Sequence, residues 1–438
     1  MQHYATGRRL QLTYDQYKTD MDRLLEIFFQ PERWEKALNK GIIKDIDKGV
    51  LSIMTRPETR LALYRSIRDG EYQIIPPHTA LIPKDDPGEF RTVYINEAQD
   101  RIILSILNDM LFELCPDMVH KNCRSYLTGV GCGKVVKNIA ARLEASQGET
   151  LGFKADLSKY FDSVPINYID DAFNQVEVKF GHSALIDVLR KYYHSNVYID
   201  VDGEVKNKYQ SLKQGCAVAS WLADVVLRSL DEKMTLCGGL YVRYSDDIVY
   251  FGDNYQEAMD ILAQHLGEMS MKLNPKKVEY ISKNRWFKFL GFSIHGGDIS
   301  MSKKRLKNFQ KEIQKRTVNQ PKTTPKAALN AVNAYLYKGF DGHSWATAVL
   351  PVINVEHDIK LMNEFIIDCL RAVSTGKKKV GGLGYHCEGS FCVARGTGRN
   401  VTTNRKKVPM IEGYYSLKCM QNTLKTSHAV FDAMVRLM

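Results

Sequence analysis

Three aspartates have the types and spacing that metal-assisted chemistry requires. Asp246 and Asp247 are adjacent in YVRYSDDIVYFG (residues 241–252), and Asp156 stands ninety positions earlier in GFKADLSKYFD (residues 152–162). Carboxylate oxygens are the ligands that cations such as Mg²⁺ prefer, and such a cation turns the repulsion between neighbouring carboxylates into binding. Asp246 and Asp247 alone could equally be turn residues, because Ser and Asp favour turns. The prediction of a metal site therefore depends on partners elsewhere.

The sequence around each aspartate predicts how it is positioned. Between Leu240 and Tyr244 the residues alternate, with Tyr241 and Arg243 on the second face, and an apolar run follows at 248–251. This period of two predicts a β-hairpin whose tip contains the two adjacent aspartates. Asp156 comes at the end of another predicted strand. A carboxylate at a strand end opposite another at a hairpin tip is the arrangement that two-metal phosphoryl transfer requires.

The rest of the chain predicts an α+β fold. Apolar residues at helical spacing predict that the first 70 residues are mainly helical. A Pro- and Gly-rich stretch at 74–90 predicts a hairpin with its turn at 86–88. Strand and helix signals alternate over residues 150–300, with a strand pair near 286–301, and the pattern is helical from 303 to about 373. An antiparallel sheet with helices on one face accounts for this order.

The charge of the chain is concentrated in its last third. The formal net charge is +11, and residues 301–438 contain 23 Lys and Arg against 9 Asp and Glu. Basic clusters lie at 303–316, 376–385 and 404–409. Such clusters suit contact with a nucleic-acid backbone. The alternative is a solvated helix face and two ordinary basic loops.

Length, apolar runs and cysteines limit the class of protein. A chain of 438 residues predicts two to four subdomains. No apolar run reaches the roughly 18 residues of a membrane span, and the first residues lack the apolar core of a signal peptide. Nine scattered cysteines fit a reducing compartment better than a disulfide framework. We therefore expect a cytoplasmic protein without membrane contact.

Five short motifs in a fixed order resemble those of the reverse transcriptases. They are DLSKYFD (156–162), LKQGCAVAS (212–220), YSDD (244–247), LNPKK (273–277) and FLGF (289–292). The resemblance implies a right-hand polymerase that adds deoxynucleotides on an RNA template. It also implies the following parts: a helical N-terminal segment at 1–75, fingers at 76–150, a palm with remaining fingers elements at 151–302, a helical thumb at 303–373 and a basic, Gly-rich extension at 374–438.

The resemblance assigns roles to individual residues of the catalytic centre. Asp156 and Asp246 match the ligands of two Mg²⁺ ions, for which Mn²⁺ is a possible substitute, and Asp247 matches an auxiliary ligand. Lys277 resembles the lysine that protonates the departing pyrophosphate, a general-acid role. Without the family, Asp247 would be read as a turn residue and Lys277 as an exposed helix-end charge.

Further positions match the family's nucleotide and nucleic-acid contacts. Phe161 matches the aromatic steric gate that blocks a ribose 2′-hydroxyl, although core packing would explain a Phe equally well. Gln214 and Gly215 resemble the pair beside the incoming nucleotide and template, and Lys84 and Arg91 match fingertip residues that clamp the triphosphate. The remaining predicted nucleic-acid contacts are in the basic extension: Lys377, Lys378, Lys379, Arg405, Lys406 and Lys407.

Within the family, the chain is most similar to compact bacterial enzymes of the defence-associated and abortive-infection groups. That resemblance implies a dedicated structured non-coding RNA as template, deoxynucleoside triphosphates as substrates, a DNA product and a role against phage. A group II intron-like or other cellular reverse transcriptase without a defence role stays open. So does an RNA-binding module without catalysis, although all three acidic positions are intact. RNA-templated RNA synthesis is disfavoured by Phe161.

Overall fold

The computed structural model describes residues 21–39, 46–83, 88–208, 210–338 and 344–375, which form both helices and strands. The strands are β1 (His78–Pro83), β2 (Phe90–Ile95), β3 (Leu151–Asp156), β4 (Val197–Ile199), β5 (Val205–Asn207), β6 (Leu240–Tyr244), β7 (Asp247–Phe251), β8 (Glu279–Ser282), β9 (Phe287–Phe289), β10 (Phe292–His295) and β11 (Asp298–Met301). The predicted α+β class is confirmed.

Helices connect these strands and follow them. The α-helices are α1 (Arg23–Phe28), α2 (Pro31–Leu38), α3 (Lys48–Met54), α4 (Pro57–Arg68), α5 (Ala98–Leu114), α6 (Cys132–Ala145), α7 (Tyr160–Ser163), α8 (Ile166–Phe180), α9 (Ala184–His194), α10 (Val218–Val225), α11 (Arg228–Leu236), α12 (Tyr255–Glu268), α13 (Lys303–Arg316), α14 (Pro325–Asn333) and α15 (Glu356–Thr375). Short 3₁₀ turns lie at Pro116–Met118 and Pro275–Lys277, and π-helical turns at Ala334–Lys338 and Trp345–Val349.

The strands form three sheets, in the orders β2-β1-β4-β5, β6-β7-β3-β8 and β11-β10-β9. The predicted hairpin at 74–90 is confirmed, because β1 and β2 pair antiparallel with Pro83 opposite Phe90. The predicted strand pair near 286–301 was wrong, since three strands form there. Leu290 and Gly291 both have positive φ angles between β9 and β10, which makes a tight two-residue turn and adds a third strand to the predicted pair.

The chain divides into two compact units. The first contains residues 1–127, 155–248 and 256–278. Helix α5 lies at its centre, because consecutive residues from Ile102 to Leu107 are all buried, as are Met110 and Leu111. A helix that is buried around its whole circumference organises a core. All three aspartates of the expected metal site belong to this unit.

The second unit contains residues 128–154, 249–255 and 279–438. Gly133 on α6 permits a close approach, because a Cβ atom there would lie 2.4 Å from Cγ2 of Val352. The basic helix α13 buries only Phe309 and Ile313 and leaves its lysines outside. Among the described residues, no helix is long and apolar enough to cross a membrane.

The β6–β7 hairpin carries the adjacent aspartates on a tight turn. Only Ser245 and Asp246 lie between the strands, and Asp247 is the first residue of β7, so the expected three-residue turn is shorter than predicted. Ser245 has a φ of 59°, as hairpin turns of this length require at a central position. Its amide donates to Oγ of Ser125 at 2.8 Å. A specific hydrogen bond therefore stabilises Ser245 in the left-handed conformation, which glycine adopts more readily than other residues.

Strand β6 does not separate an exposed face from a buried one, contrary to the predicted alternation. Tyr241 is 2% exposed and Arg243 is completely buried. Arg243 lies against Asp231 of α11, with Nε 2.7 Å from Oδ1 and Nη2 2.6 Å from Oδ2. Both side chains of this pair have no exposure to solvent. A bidentate, fully desolvated ion pair therefore lies behind the hairpin.

The remaining donors of Arg243 bind main-chain carbonyls. Nη1 donates to Ala223 and to Ser245, each at 3.2 Å, and Nη2 donates to Asp224 at 2.8 Å. Together with the two bonds to Asp231, these contacts use all five guanidinium N–H groups. The carbonyl of Ser245 belongs to the turn itself, so the buried arginine connects the tip of the hairpin to α10 and α11.

We predict that Asp231→Asn destabilises the protein strongly, because it leaves the Arg243 cation buried without a counter-charge. Breaking such a pair costs about 3–5 kcal/mol, and we expect a fall of several degrees in the apparent Tm. The matched control is Glu232→Gln on the same helix, which removes an exposed pair with Arg228 (2.9 Å) and should cost no more than about 1 kcal/mol. Equal shifts for the two variants in thermal unfolding would contradict the prediction.

Candidate active site

Asp156 and Asp246 are brought together by the main chain. Strand β3 ends at Asp156, and the amide of the next residue, Leu157, donates to the carbonyl oxygen of Asp246 at 3.2 Å. Asp156 is 5% exposed. The strand end and the hairpin tip are therefore neighbours, as the spacing of the motifs predicted.

A third segment holds the other side of Asp156. The amide of Asn274 donates to the carbonyl of Asp156 at 2.8 Å, and the amide of Ser158 donates to the carbonyl of Lys272 at 2.8 Å. Leu157 and Leu273 form an isolated antiparallel bridge between these two bonds. The main chain of Asp156 is thus held from both sides by backbone hydrogen bonds.

The carboxylate of Asp156 accepts two side-chain hydrogen bonds. Lys277 Nζ lies 2.6 Å from Oδ2, and Nδ2 of Asn274 lies 3.3 Å from Oδ1. Partial burial lowers the pKa of Lys277, but the hydrogen bond and charge of Asp156 outweigh it and leave that pKa raised. The Lys277 side chain is 60% exposed, so it can leave this contact without disturbing the core.

Asn274 is a site residue that sequence reasoning missed. Besides its bond to Asp156, its Oδ1 accepts from the amide of Lys276 at 3.2 Å and caps the 3₁₀ turn that carries Lys277. The Asn-Pro dipeptide within LNPKK was the available signal, because Asn side chains bond the backbone two residues on. Asn274 therefore positions the acid and the lysine together.

The environment of Asp246 disfavours its negative charge. Burial raises the pKa of this carboxyl, and the charge of Asp156 raises it further, while Lys277 and Arg91 oppose the shift. This effect of Asp156 on the pKa of Asp246 agrees with the main-chain bond that joins the strand end to the hairpin tip. A divalent cation bound to both carboxylates would relieve their repulsion.

Asp247 is placed differently from the other two aspartates. It is half-buried at the start of β7. Among the described residues, the three aspartates do not form a set whose ligand atoms all lie within 4.8 Å of one another; the set that meets this criterion is Glu177, His182 and Asp187. In that set Arg190 already neutralises Glu177 at 2.6 Å. The predicted auxiliary role of Asp247 stays a prediction.

The donor set at Asp156 and Asp246 fits a divalent cation. It consists of two carboxylates, one deeply buried, whose repulsion is compensated here by the Lys277 ammonium. Hard cations such as Mg²⁺ and Mn²⁺ prefer oxygen ligands of this kind. These two residues would therefore hold the metal, and substrate oxygens and water would complete its coordination.

Phe161 lies close to this centre along the chain, on the one-turn helix α7. It is half-buried and meets the ring of Tyr160 edge-on, with ring centroids 5.6 Å apart. The Tyr160 hydroxyl donates to the carbonyl of Ala223 at 2.6 Å, which anchors the preceding residue in the core. Phe161 is thus partly exposed. A gate residue would have this intermediate exposure, because it must contact the substrate.

Gln214 and Gly215 lie beside strand β2. The amide of Tyr94 donates to the carbonyl of Gln214 at 2.7 Å. Gly215 has a φ of 107°, and a Cβ atom there would lie 2.7 Å from the carbonyl oxygen of Tyr94. We expected glycine here to admit a base pair, but the close neighbour that requires it is the protein main chain.

Lys213, which sequence reasoning did not single out, anchors this loop. Its ammonium is buried and donates to the carbonyls of Tyr192 and Ser195, at 2.7 and 3.1 Å, at the C-terminal end of α9. A cation suits that end of a helix because the carbonyls there carry partial negative charge. Burial lowers the pKa of Lys213 to about 8. Lys213 therefore positions the loop that contains Gln214.

The other predicted contacts divide into two groups. Arg91 is exposed on β2, and its charge lowers the pKa of Asp246 against the effect of burial. Its predicted contact with the triphosphate stays a prediction. The others lie outside the described residues: Lys84, Lys377, Lys378, Lys379, Arg405, Lys406 and Lys407.

Comparison with known proteins gives remote structural similarity. No curated protein matches the sequence. Among solved structures, the apo telomerase of Candida tropicalis truncated from the C-terminal domain is 14% identical with a TM-score of 0.41; the alignment covers 53% of this chain and 56% of that one. The telomerase of Candida albicans with a fragment of telomeric RNA is 11% identical with a TM-score of 0.41, over 84% and 69%. The chain thus spans about half the length of the first of these structures.

The family comparison is more specific. Residues 82–294 match the model described as reverse transcriptase (RNA-dependent DNA polymerase). These bounds contain Asp156, the hairpin with Asp246, and the turn with Lys277. These residues, close to half of the 438, therefore carry a reverse transcriptase domain, as the five motifs predicted.

Proposed function

We propose that the protein is an RNA-directed DNA polymerase whose catalytic acids are Asp156 and Asp246. The observation that carries the proposal is the bond between Leu157 and the carbonyl of Asp246, which joins the strand end to the hairpin tip. The reaction attaches the 3′-hydroxyl of a growing strand to the α-phosphorus of a deoxynucleoside triphosphate and releases pyrophosphate. Divalent cations held by the two carboxylates supply charge neutralisation and an activated hydroxyl.

We propose Lys277 as the proton donor to the leaving group. Its ammonium lies 2.6 Å from Oδ2 of Asp156, and a divalent cation held by that carboxylate would weaken this contact. The exposed lysine would then be available, with its proton, to the departing pyrophosphate. General-acid assistance of this kind contributes roughly 10²–10⁴-fold to rate.

The substrate contacts follow from the residues around this centre. Arg91 and Lys84 bind the triphosphate, as their positions in the fingertip motif imply. Phe161 excludes a 2′-hydroxyl and favours deoxynucleotides. The residue environments support these roles for Arg91 and Phe161, which are exposed and half-buried, respectively, within the unit that contains Asp156.

Helix α13 offers a surface for an RNA backbone. Lys303, Lys307, Lys311 and Lys315 recur at every fourth position and are all exposed, so they form a stripe with a step of about 6 Å. Lysines four residues apart repel one another, and phosphate contact would relieve that repulsion. A structured RNA template is the partner that this stripe supports. A dedicated non-coding RNA, two Mg²⁺ ions and a role in antiphage defence stay predictions from the resemblance.

We predict that Asp156→Asn and Asp246→Asn each lower DNA synthesis at least about a thousandfold, because each removes several kcal/mol of charge stabilisation from the transition state. The measurement is primer extension on an RNA template with deoxynucleotides and Mg²⁺. Asp253→Asn, at an exposed position, is the control and should be fully active. Full activity of either site variant would overturn the assignment, and an inactive wild-type protein that still binds RNA would favour the non-catalytic binding module.

Lys277→Gln should lower the single-turnover rate by about 10²-fold or more with little change in deoxynucleotide affinity, because it removes a proton donor. Lys277→Arg keeps the charge but cannot lose a proton near neutral pH. We therefore expect the arginine variant to bind template normally and to be nearly as slow as the glutamine variant. Rapid catalysis by Lys277→Arg would show that the lysine acts through its charge alone.

Replacing Lys307 and Lys311 by Gln should weaken RNA binding and flatten its salt dependence. Each phosphate contact contributes about 0.7 (single strand) to 0.9 (duplex) to the slope of log affinity against log salt, so the slope should fall by about 1.4 to 1.8. Fluorescence anisotropy with a hairpin RNA that has a single-stranded overhang measures it. Lys179→Gln with Lys233→Gln is the control, since those lysines pair with Asp117 and Glu268. An unchanged slope would mean that the stripe faces solvent.

A further inference from the structure

Helix α7, which carries Phe161, cannot hold its own position. It has four residues, its N-cap residue Lys159 is left-handed with a φ of 50°, and no side chain caps it. A single helical turn has too few internal hydrogen bonds to be stable alone. The orientation of Phe161 therefore depends on contacts from outside the helix.

Two such contacts come from one short segment after β5. Lys208 Nζ lies 2.6 Å from Oδ1 of Asp162, the residue next to Phe161. Oγ of Ser211 donates to the carbonyl of Phe161 itself at 3.1 Å. Ser211 therefore binds the main chain of Phe161, and Lys208 binds the side chain of the neighbouring Asp162.

Lys208 is itself fixed by other partners. Nζ also donates to the carbonyl of Leu212 at 3.3 Å, and it lies 4.6 Å from the ring centroid of Tyr94. The Lys208 side chain is 15% exposed, whereas that of Asp162 is 56% exposed. The ammonium is the immobile partner of the pair, because a carbonyl, an aromatic face and a carboxylate surround it.

We propose that Lys208 is a positioning residue for sugar selection, which holds α7 through Asp162 so that the ring of Phe161 blocks a 2′-hydroxyl. The inference rests on the proposed function, because it assumes that Phe161 is the gate. Tyr160 anchors one side of α7 in the core, and the Lys208–Asp162 pair fixes the opposite side. Without the pair, only the Ser211 bond and the Tyr160 anchor hold α7, so the ring has more freedom to withdraw from the sugar.

This role makes a prediction that a purely structural role does not make. Selectivity depends on the position of one ring, whereas deoxynucleotide incorporation depends mainly on the carboxylates and the triphosphate contacts. Loss of the Lys208–Asp162 ion pair should therefore raise ribonucleotide incorporation relative to deoxynucleotide incorporation. The quantity to measure is the ratio of kcat/KM for a deoxynucleotide to that for the matching ribonucleotide.

The experiment compares variants by primer extension with dGTP and GTP on an RNA template. The proteins are the wild type, Phe161→Ala, Lys208→Met, Asp162→Asn and the control Lys206→Met. Lys206 lies two positions before Lys208 and has comparable ion pairs, with Asp200 at 2.6 Å and Asp202 at 2.7 Å. Lys208→Met and Asp162→Asn should each reduce the selectivity ratio about fivefold, which corresponds to about 1 kcal/mol, and Lys206→Met should leave it unchanged.

The controls separate the failure of this inference from that of the proposed function. If the wild type makes no DNA, the proposed polymerase activity fails. If Phe161→Ala does not relax the selectivity, the gate assignment fails. If Phe161→Ala relaxes it but Lys208→Met and Asp162→Asn keep the wild-type ratio, the inference about Lys208 is overturned. A wild-type ratio in Lys208→Arg, which keeps the cation, would support the role of the ion pair with Asp162. Equal loss of both activities in Lys208→Met and Asp162→Asn, without a change in the ratio, would contradict it.

Discussion

The buried ion pair between Arg243 and Asp231 is the constraint on which the catalytic hairpin depends. Burial of a charged arginine is unfavourable unless every donor is satisfied, and the geometry around Arg243 satisfies all five. One of its acceptors is the carbonyl of Ser245. The guanidinium that is satisfied by groups of α10 and α11 therefore also holds the turn. The position of Asp246 is thus set by an interaction that takes no part in chemistry.

The fold brings together charges that oppose one another, and this conflict gives the site its chemistry. Burial raises the pKa of the Asp246 carboxyl, and the charge of Asp156 raises it further. The Lys277 ammonium compensates only part of this repulsion. Main-chain bonds hold Asp156 next to the turn that contains Asp246. A divalent cation bound to both carboxylates would relieve the repulsion.

Local patterns predicted the elements but not the contacts between them. The period of two located β6 and β7, and the order of the motifs predicted that Asp156 and Asp246 would meet. The same pattern assigned Arg243 to a polar face, because a periodicity shows which residues share a side and not whether that side is covered. Lys208 and Asn274 were missed for a related reason: their partners, Asp162 and Asp156, lie 46 and 118 positions away.

The two side chains on Asp156 differ in how freely they can move, and this difference suits a catalytic cycle. Asn274 is tied to Asp156 by its own amide and caps the following turn, so it stays when the charge at the site changes. Lys277 is mostly exposed and joined by its terminal amine alone, so it can leave and return. Asp156 thus has one fixed neutral donor and one movable cationic donor. A divalent cation bound at this carboxylate, as proposed above, would displace the movable lysine while the fixed amide keeps the carboxylate oriented.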